Sequence, residues 1–121
     1  MHTENQTVEG STFIGHVAEV TNQSQIPNVM AALLQDKAHA SASHHFYAYR
    51  IGRSGSANIK EGHRDDQEHG AGLALKKWLR EQGKTNVMVI VSRWFGGKHI
   101  GPSRFDIFKR IAAEACEKLS P

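Results

Sequence analysis

A single cysteine in 121 residues rules out an internal disulfide, and with it the small stapled scaffolds of oxidising compartments. Cys116 falls inside a helical apolar pattern, where a free cysteine acts as a small buried hydrophobe rather than a nucleophile. Long apolar runs are missing as well. Nothing approaches the ~20 consecutive apolar residues that cross a bilayer, so no membrane partner is expected. The first residues, Met1-His2-Thr3-Glu4-Asn5-Gln6-Thr7, lack the basic-then-apolar order of a secretory signal. Proline is scarce, at three residues, and no linker, repeat or low-complexity stretch divides the chain. Together these absences predict a cytoplasmic protein, with residues 1–10 as a flexible N-terminus and residues 11–121 as one domain.

What is present is a soluble globular balance, with 39% hydrophobic and 22% charged residues. The net charge of +3 and pI of 9.2 are mildly basic and do not by themselves imply nucleic acid. Eight histidines add positive charge below about pH 6.5.

Thr12 to Val20 reads as a first strand. Ser24 offers an N-cap, Pro27 suits the first turn, and Ile26, Val29, Met30, Leu33 and Leu34 line one helical face. His44 to Ile51 reads as a second strand, closed by the flexible turn Gly52-Arg53-Ser54-Gly55-Ser56, with Ala57 to Lys60 returning as a short edge strand. A second helix spans Ala71 to Gln82, buries Ala71, Ala74, Leu75, Trp78 and Leu79, and stops at Gly83. Val87-Met88-Val89-Ile90-Val91 is the continuous apolar run of a central strand covered on both sides. Ser103 and Asp106 have capping-box spacing, and Phe105, Phe108, Ala112, Ala115, Cys116 and Leu119 line a last helix. The alternation of strand and helix predicts an α/β two-layer sandwich.

Three stretches could carry chemistry. His63, Asp65, Asp66, Glu68 and His69 crowd one short segment and could hold a divalent metal or an acid/base pair. Their spacing fits no established metal pattern. The simpler reading is that Asp65 or Asp66 caps the second helix while Glu68 complements its dipole; a partner-binding surface is the other alternative. The second stretch runs from Arg93 through Trp94, Phe95, Gly96, Gly97, Lys98, His99, Ile100, Gly101, Pro102 and Ser103 to Arg104. It joins the central strand to a helix N-terminus, an arrangement that can hold an anion, although the P-loop spacing is absent. It is either a structural turn or a recognition surface on which Arg93, Trp94, Lys98 and Arg104 stand exposed. The third stretch, Ser41 to His45, places Ser43 beside His44, but adjacent strand residues face opposite sides and cannot form a nucleophile–base dyad.

On these residues the chain resembles the IMPACT family. Ala42-Ser43-His44 with Tyr47-Ala48-Tyr49-Arg50 is similar to one family signature. Asp65-Asp66-Gln67-Glu68 with Gly72 is similar to another, except that Gln67 stands where the family has glycine. Asn86-Val87-Met88-Val89, then Ser92-Arg93-Trp94-Phe95-Gly96-Gly97, Ile100-Gly101-Pro102 and Arg104-Phe105, resemble the longest signature, and Ser11 to His16 looks like the first strand of eukaryotic members. The resemblance covers about residues 11 to 119. It implies the fold of the second domain of ribosomal protein S5, a mixed four-stranded sheet with helices on one face. It also implies a non-enzymatic regulator of translation. Such a regulator restrains the amino-acid-starvation kinase, and so phosphorylation of the initiation factor, by competing for the kinase's large ribosome-associated activator. Actin is a second implied partner. Eukaryotic members carry an RWD domain before this one and bacterial members an extra C-terminal domain, and neither is expected within these residues.

No cofactor is expected. The partner-binding surface is expected at Arg93, Trp94, Phe95, Gly96, Gly97, Lys98 and Arg104, with Asp65, Asp66 and Glu68 beside it. Two alternatives stay open. One is a module for RNA or the ribosome surface, using Lys76, Lys77, Arg80, Arg93, Lys98, Arg104, Lys109 and Arg110. The other is a metal-dependent enzyme built on His44, His63, Asp65, Asp66, Glu68 and His69.

Overall fold

A computed structural model describes residues 2–3, 5–53 and 55–119. Met1, Glu4, Ser54, Ser120 and Pro121, each named or spanned in the readings above, lie outside the described residues. The elements in chain order are β1 (Gln6–Val8), β2 (Ser11–Glu19), α1 (Gln25–Gln35), α2 (Lys37–Ala40), β3 (His44–Ile51), β4 (Lys60–Arg64), α3 (Ala71–Glu81), β5 (Val87–Trp94) and α4 (Arg104–Leu119).

The five strands form one sheet in the order β1-β2-β5-β3-β4. The continuous apolar run at 87–91 lies in the middle strand, as its burial demands: Val87, Val89 and Val91 face one core, Met88 and Ile90 the other. Opposite Val91 on β2 stands Gly15, where a Cβ would come within 2.5 Å of an Ile111 methyl. That missing side chain lets α4 cross the sheet closely.

The α+β sandwich class holds, and three details differ from expectation. The sheet has five strands rather than four, and every neighbouring pair is antiparallel rather than mixed. β2 and β3 do run parallel to each other, but β5 is inserted between them, so no parallel ladder forms. Helices also cover both faces. Phe13, Phe46, Leu75, Leu79, Phe108 and Ile111 join α3 and α4 to one face, while Ile26, Val29, Met30 and Leu33 of α1 pack against Met88, Ile90, Tyr47 and Tyr49 on the other. The sheet's period-2 alternation drives this, because Met88 and Ile90 need a cover that α3 and α4 cannot reach.

The N-terminal segment expected to fray instead contributes edge strand β1, turned back onto β2 at Glu9 and Gly10, both with positive φ. The return strand after β3 starts at Lys60 rather than ending there. Two expected caps are replaced by other contacts. Ser24 makes no side-chain cap bond, and the Gln25 side chain instead takes the Thr21 and Asn22 N–H groups. At α4 the carbonyls of Gly101, Pro102 and Ser103 accept the first helical N–H groups. Gly83, with φ of 63°, ends α3 as its position predicts. Cys116 is buried in the α4 core, and burial pushes its thiol pKa up. Among the described residues no helix is long and apolar enough to cross a membrane.

Candidate functional site

Arg93 and Arg104 converge on one carboxylate. β5 ends by carrying Arg93 into the core beneath the β1–β2 turn, where it is 3% exposed. This overturns the expectation that Arg93 stands exposed. Its Nη1 donates to Glu68 Oε1 at 2.7 Å, and its Nε and Nη2 donate to the buried Ser11 hydroxyl. The guanidinium lies between the Phe13 and Phe95 rings, 5.3 and 5.2 Å from their centroids. Arg104, at the start of α4, donates to the same Glu68 oxygen at 3.2 Å and to the Gly101 carbonyl. The other Glu68 oxygen lies 3.8 Å from His44 Nε2. Glu68 is thus a buried anion shared by two guanidiniums, which supersedes its expected role against the α3 dipole.

The acidic segment splits its work. Asp65 accepts from the N–H groups of Gly70, Gly72 and Leu73, capping α3 as the simpler reading expects. Burial pushes its carboxyl pKa up, but these backbone hydrogen bonds outweigh it and hold the group below its usual range. Asp66 Oδ2 accepts from the His45 backbone N–H at 2.6 Å and so ties the loop to the start of β3. Asp66 and Gln67 have φ of 49° and 68°, so the family glycine is replaced by a glutamine in the left-handed region.

These residues wall a cleft of about 360 Å³, lined by His44, Gln67, Glu68, His69, Arg93, Phe95, His99, Ile100, Gly101 and Arg104. With histidines neutral, two arginines against one glutamate leave it one positive charge in excess. Phe95, 42% exposed, forms its lip. The remaining residues of the predicted surface do other work. Trp94 donates from Nε1 to Ser41, the Phe95 N–H binds the Ser43 hydroxyl, and Lys98 pairs with Glu9 on the surface. Gly96 must stay a glycine, because a Cβ would meet the Gly10 carbonyl at 2.3 Å. Gly97 continues the loop with a φ of 83°.

The residues grouped for a metal-dependent enzyme do not converge. Only His44 and Glu68 meet, and Asp65 and Asp66 are taken by backbone N–H groups. Among the described residues no three His, Cys, Asp or Glu side chains are arranged to hold a metal ion. The basic residues proposed for RNA are dispersed, with Arg93 and Arg104 on Glu68 and Arg80 on Glu61. Gln67, His69 and His99 line the cleft without having been singled out for it, and buried Ser11 holds Arg93 behind it. The Gly-rich spacing around Gly96 was the available signal that another backbone passes there.

An antiparallel α+β sandwich with a positively charged, aromatic-lipped cleft at one end of its central strand defines the class. The chain belongs to the Impact N-terminal domain family, whose sequence profile matches residues 9–116. Protein IMPACT homolog of Schizosaccharomyces pombe is 40% identical over 105 residues, which span 87% of this chain and 37% of that protein. Protein IMPACT of Homo sapiens is 41% identical over 95 residues, covering 78% of this chain and 30% of its own length. The chain therefore spans about a third of the curated relatives it matches. The two-domain translational regulator Yih1 superposes with a TM-score of 0.67 at 36% identity, over 97% of this chain and 45% of that one. A hypothetical protein of known structure shares the fold, with a TM-score of 0.69 at 17% identity over 95% of this chain and 54% of its own.

Proposed function

We propose that this domain is the partner-docking module of a cytoplasmic, non-enzymatic regulator of translation. In this reading it receives an acidic segment of the starvation kinase's ribosome-associated activator in the Phe95 cleft, and so restrains that kinase. The observation that carries the docking reading is an exposed aromatic beside a cleft with a net positive charge. Aromatic and arginine residues dominate interface hot spots, and the excess charge favours an anionic group on the partner. The translational role rests on likeness to Yih1, a two-domain translational regulator.

Pull-down of activator fragments by this chain tests both parts. Retention at micromolar concentration, weakened about tenfold or more by Phe95→Ala in a normally folded variant, is the expected result, since a hot-spot aromatic contributes roughly 2 kcal/mol. Absence of retention, or full retention by the variant, rejects the assignment.

A further inference from the structure

On the opposite face of the sheet from the cleft, two histidines meet one buried serine and two more pack against the first of them. Ser92, fully buried on β5, meets His16 Nε2 at 3.0 Å and His45 Nδ1 at 2.9 Å. Over His16 lie two further rings: His39 of α2 at 4.8 Å between centroids and His2 at 6.2 Å, with His2 and His39 themselves 5.6 Å apart. Both covering pieces are short, although Thr3 of the strap is itself buried. α2 has four residues, none of them buried. The N-terminal strap is held by the Thr3 N–H on the Gly15 carbonyl and the Gly15 N–H on the Thr3 hydroxyl, at 2.8 and 2.9 Å.

We propose that this cluster is a proton-operated latch worked by His16: with that ring neutral the 2–3 strap and α2 close over β2, and its protonation releases both while the sheet stays folded.

The geometry supports this in three ways. First, the cluster has little to balance a proton. Among the described residues the carboxylates beside it are Asp36 before α2, 3.6 Å from His39 but itself half exposed, and Asp66 of the loop after β4, bonded to the His45 N–H. Cationic groups stand nearby too, with Arg64 on β4 and, on the other face, His44 of β3, which neighbours Arg93 of β5 across the strand pair. α1 presents only Val29, Ala32 and Leu33 to the cavity beside His16. Second, the buried ring atoms His39 Nδ1 and His45 Nε2 have no hydrogen-bond partner among the described residues, so a proton placed there gains none. Third, the strap and α2 border cavities of about 400 and 570 Å³ that share His2 and His39, so they can lift without breaking a packed core.

Burial, then the charges of His39, His2 and His45, lower the pKa of His16 from 6.5 to about 3. Its closed-state value lies below its open-state value, so the open form binds the proton. Closure is therefore fully favoured above pH 6.5 and weakens as pH falls toward 3. For one proton the opening constant rises roughly 25-fold between pH 7 and pH 5.

Native-state hydrogen exchange on the full chain reads this directly. At both pH values the Gly15 amide should be less protected than the central-strand amide of Val89, and its protection factor should fall about 25-fold from pH 7 to pH 5. His16→Gln should abolish the fall. If that variant does not fold, histidine ring NMR of the wild type replaces it, with the His16 ring staying neutral at pH 5 in the closed form. Equal protection of Gly15 and Val89, a change under threefold, or a His16 ring that titrates near 6.5 while Gly15 stays protected, each overturns the latch.

Discussion

Replacing Glu68 by glutamine removes one negative charge from a place where two guanidiniums donate to it. Arg93 is the donor that cannot adapt. It is 3% exposed, and without the carboxylate it keeps only Ser11 and two aromatic faces. Breaking a buried ion pair from one side costs about 3–5 kcal/mol, because the surviving charge stays desolvated. The glutamine oxygen still accepts one N–H, and Arg104, being partly exposed and bonded to the Gly101 carbonyl, can rehydrate. The lower end therefore applies, about 3 kcal/mol. With an unfolding entropy of ~2.1 cal/mol/K per residue, that lowers Tm by roughly 12 °C. Urea denaturation at constant m-value measures the loss. Arg93→Met alone should cost about as much. The double variant should cost no more than either single one, since it leaves neither charge stranded. A loss below 1 kcal/mol for Glu68→Gln, or strict additivity in the double variant, would refute the buried-pair account.

Two further substitutions probe the same loop. Gln67→Gly should stabilise by about 0.5–1 kcal/mol, because a glutamine at φ of 68° carries left-handed strain that glycine relieves, less the extra entropy glycine gives the unfolded chain; a measurable loss of stability would contradict this. Asp65→Ala should cost about 1–2 kcal/mol at neutral pH through the uncapped N–H groups of α3. The Asp65 carboxyl pKa is depressed in the fold, so its contribution is present above the ordinary value of 3.8 and is lost as pH falls through the lower folded one. The gap between variant and wild type in urea midpoint should therefore close in acid, and a gap that persists unchanged below pH 3 would argue against the cap.

What could be read in advance was what local periodicity and turn chemistry determine. β3, α3 and the central position of β5 follow from strand composition, a 3.6-residue apolar stripe and a continuous apolar run. The fate of charged residues could not be read this way. Arg93 looks like a surface residue until Glu68, 25 positions earlier, is brought to 2.7 Å from it. His16, His39, His45 and Ser92 lie on four different elements; the register of β2 and β3 against β5 brings three of them together, and the packing of α2 sets His39 against His16. The face taken by α1 was hidden for the same reason. An apolar stripe says that a helix is covered, not by which side of the sheet.

Period-2 alternation along β5 gives neighbouring residues opposite duties, Ser92 holding the histidines and Arg93 holding the cleft. This changes how mutations in the longest family signature should be read. Two of its members fix the walls: buried Arg93 through Glu68 and Ser11, and Gly96 through contact with the Gly10 backbone. Exposed Phe95 within it, and Lys98 in the loop that it brackets, are the residues that the proposed docking would touch. Loss of binding in an Arg93 variant would thus report a collapsed cleft. Loss in a Phe95 variant of unchanged stability would report a lost contact, so binding data on this segment carry meaning only when paired with unfolding data on the same protein.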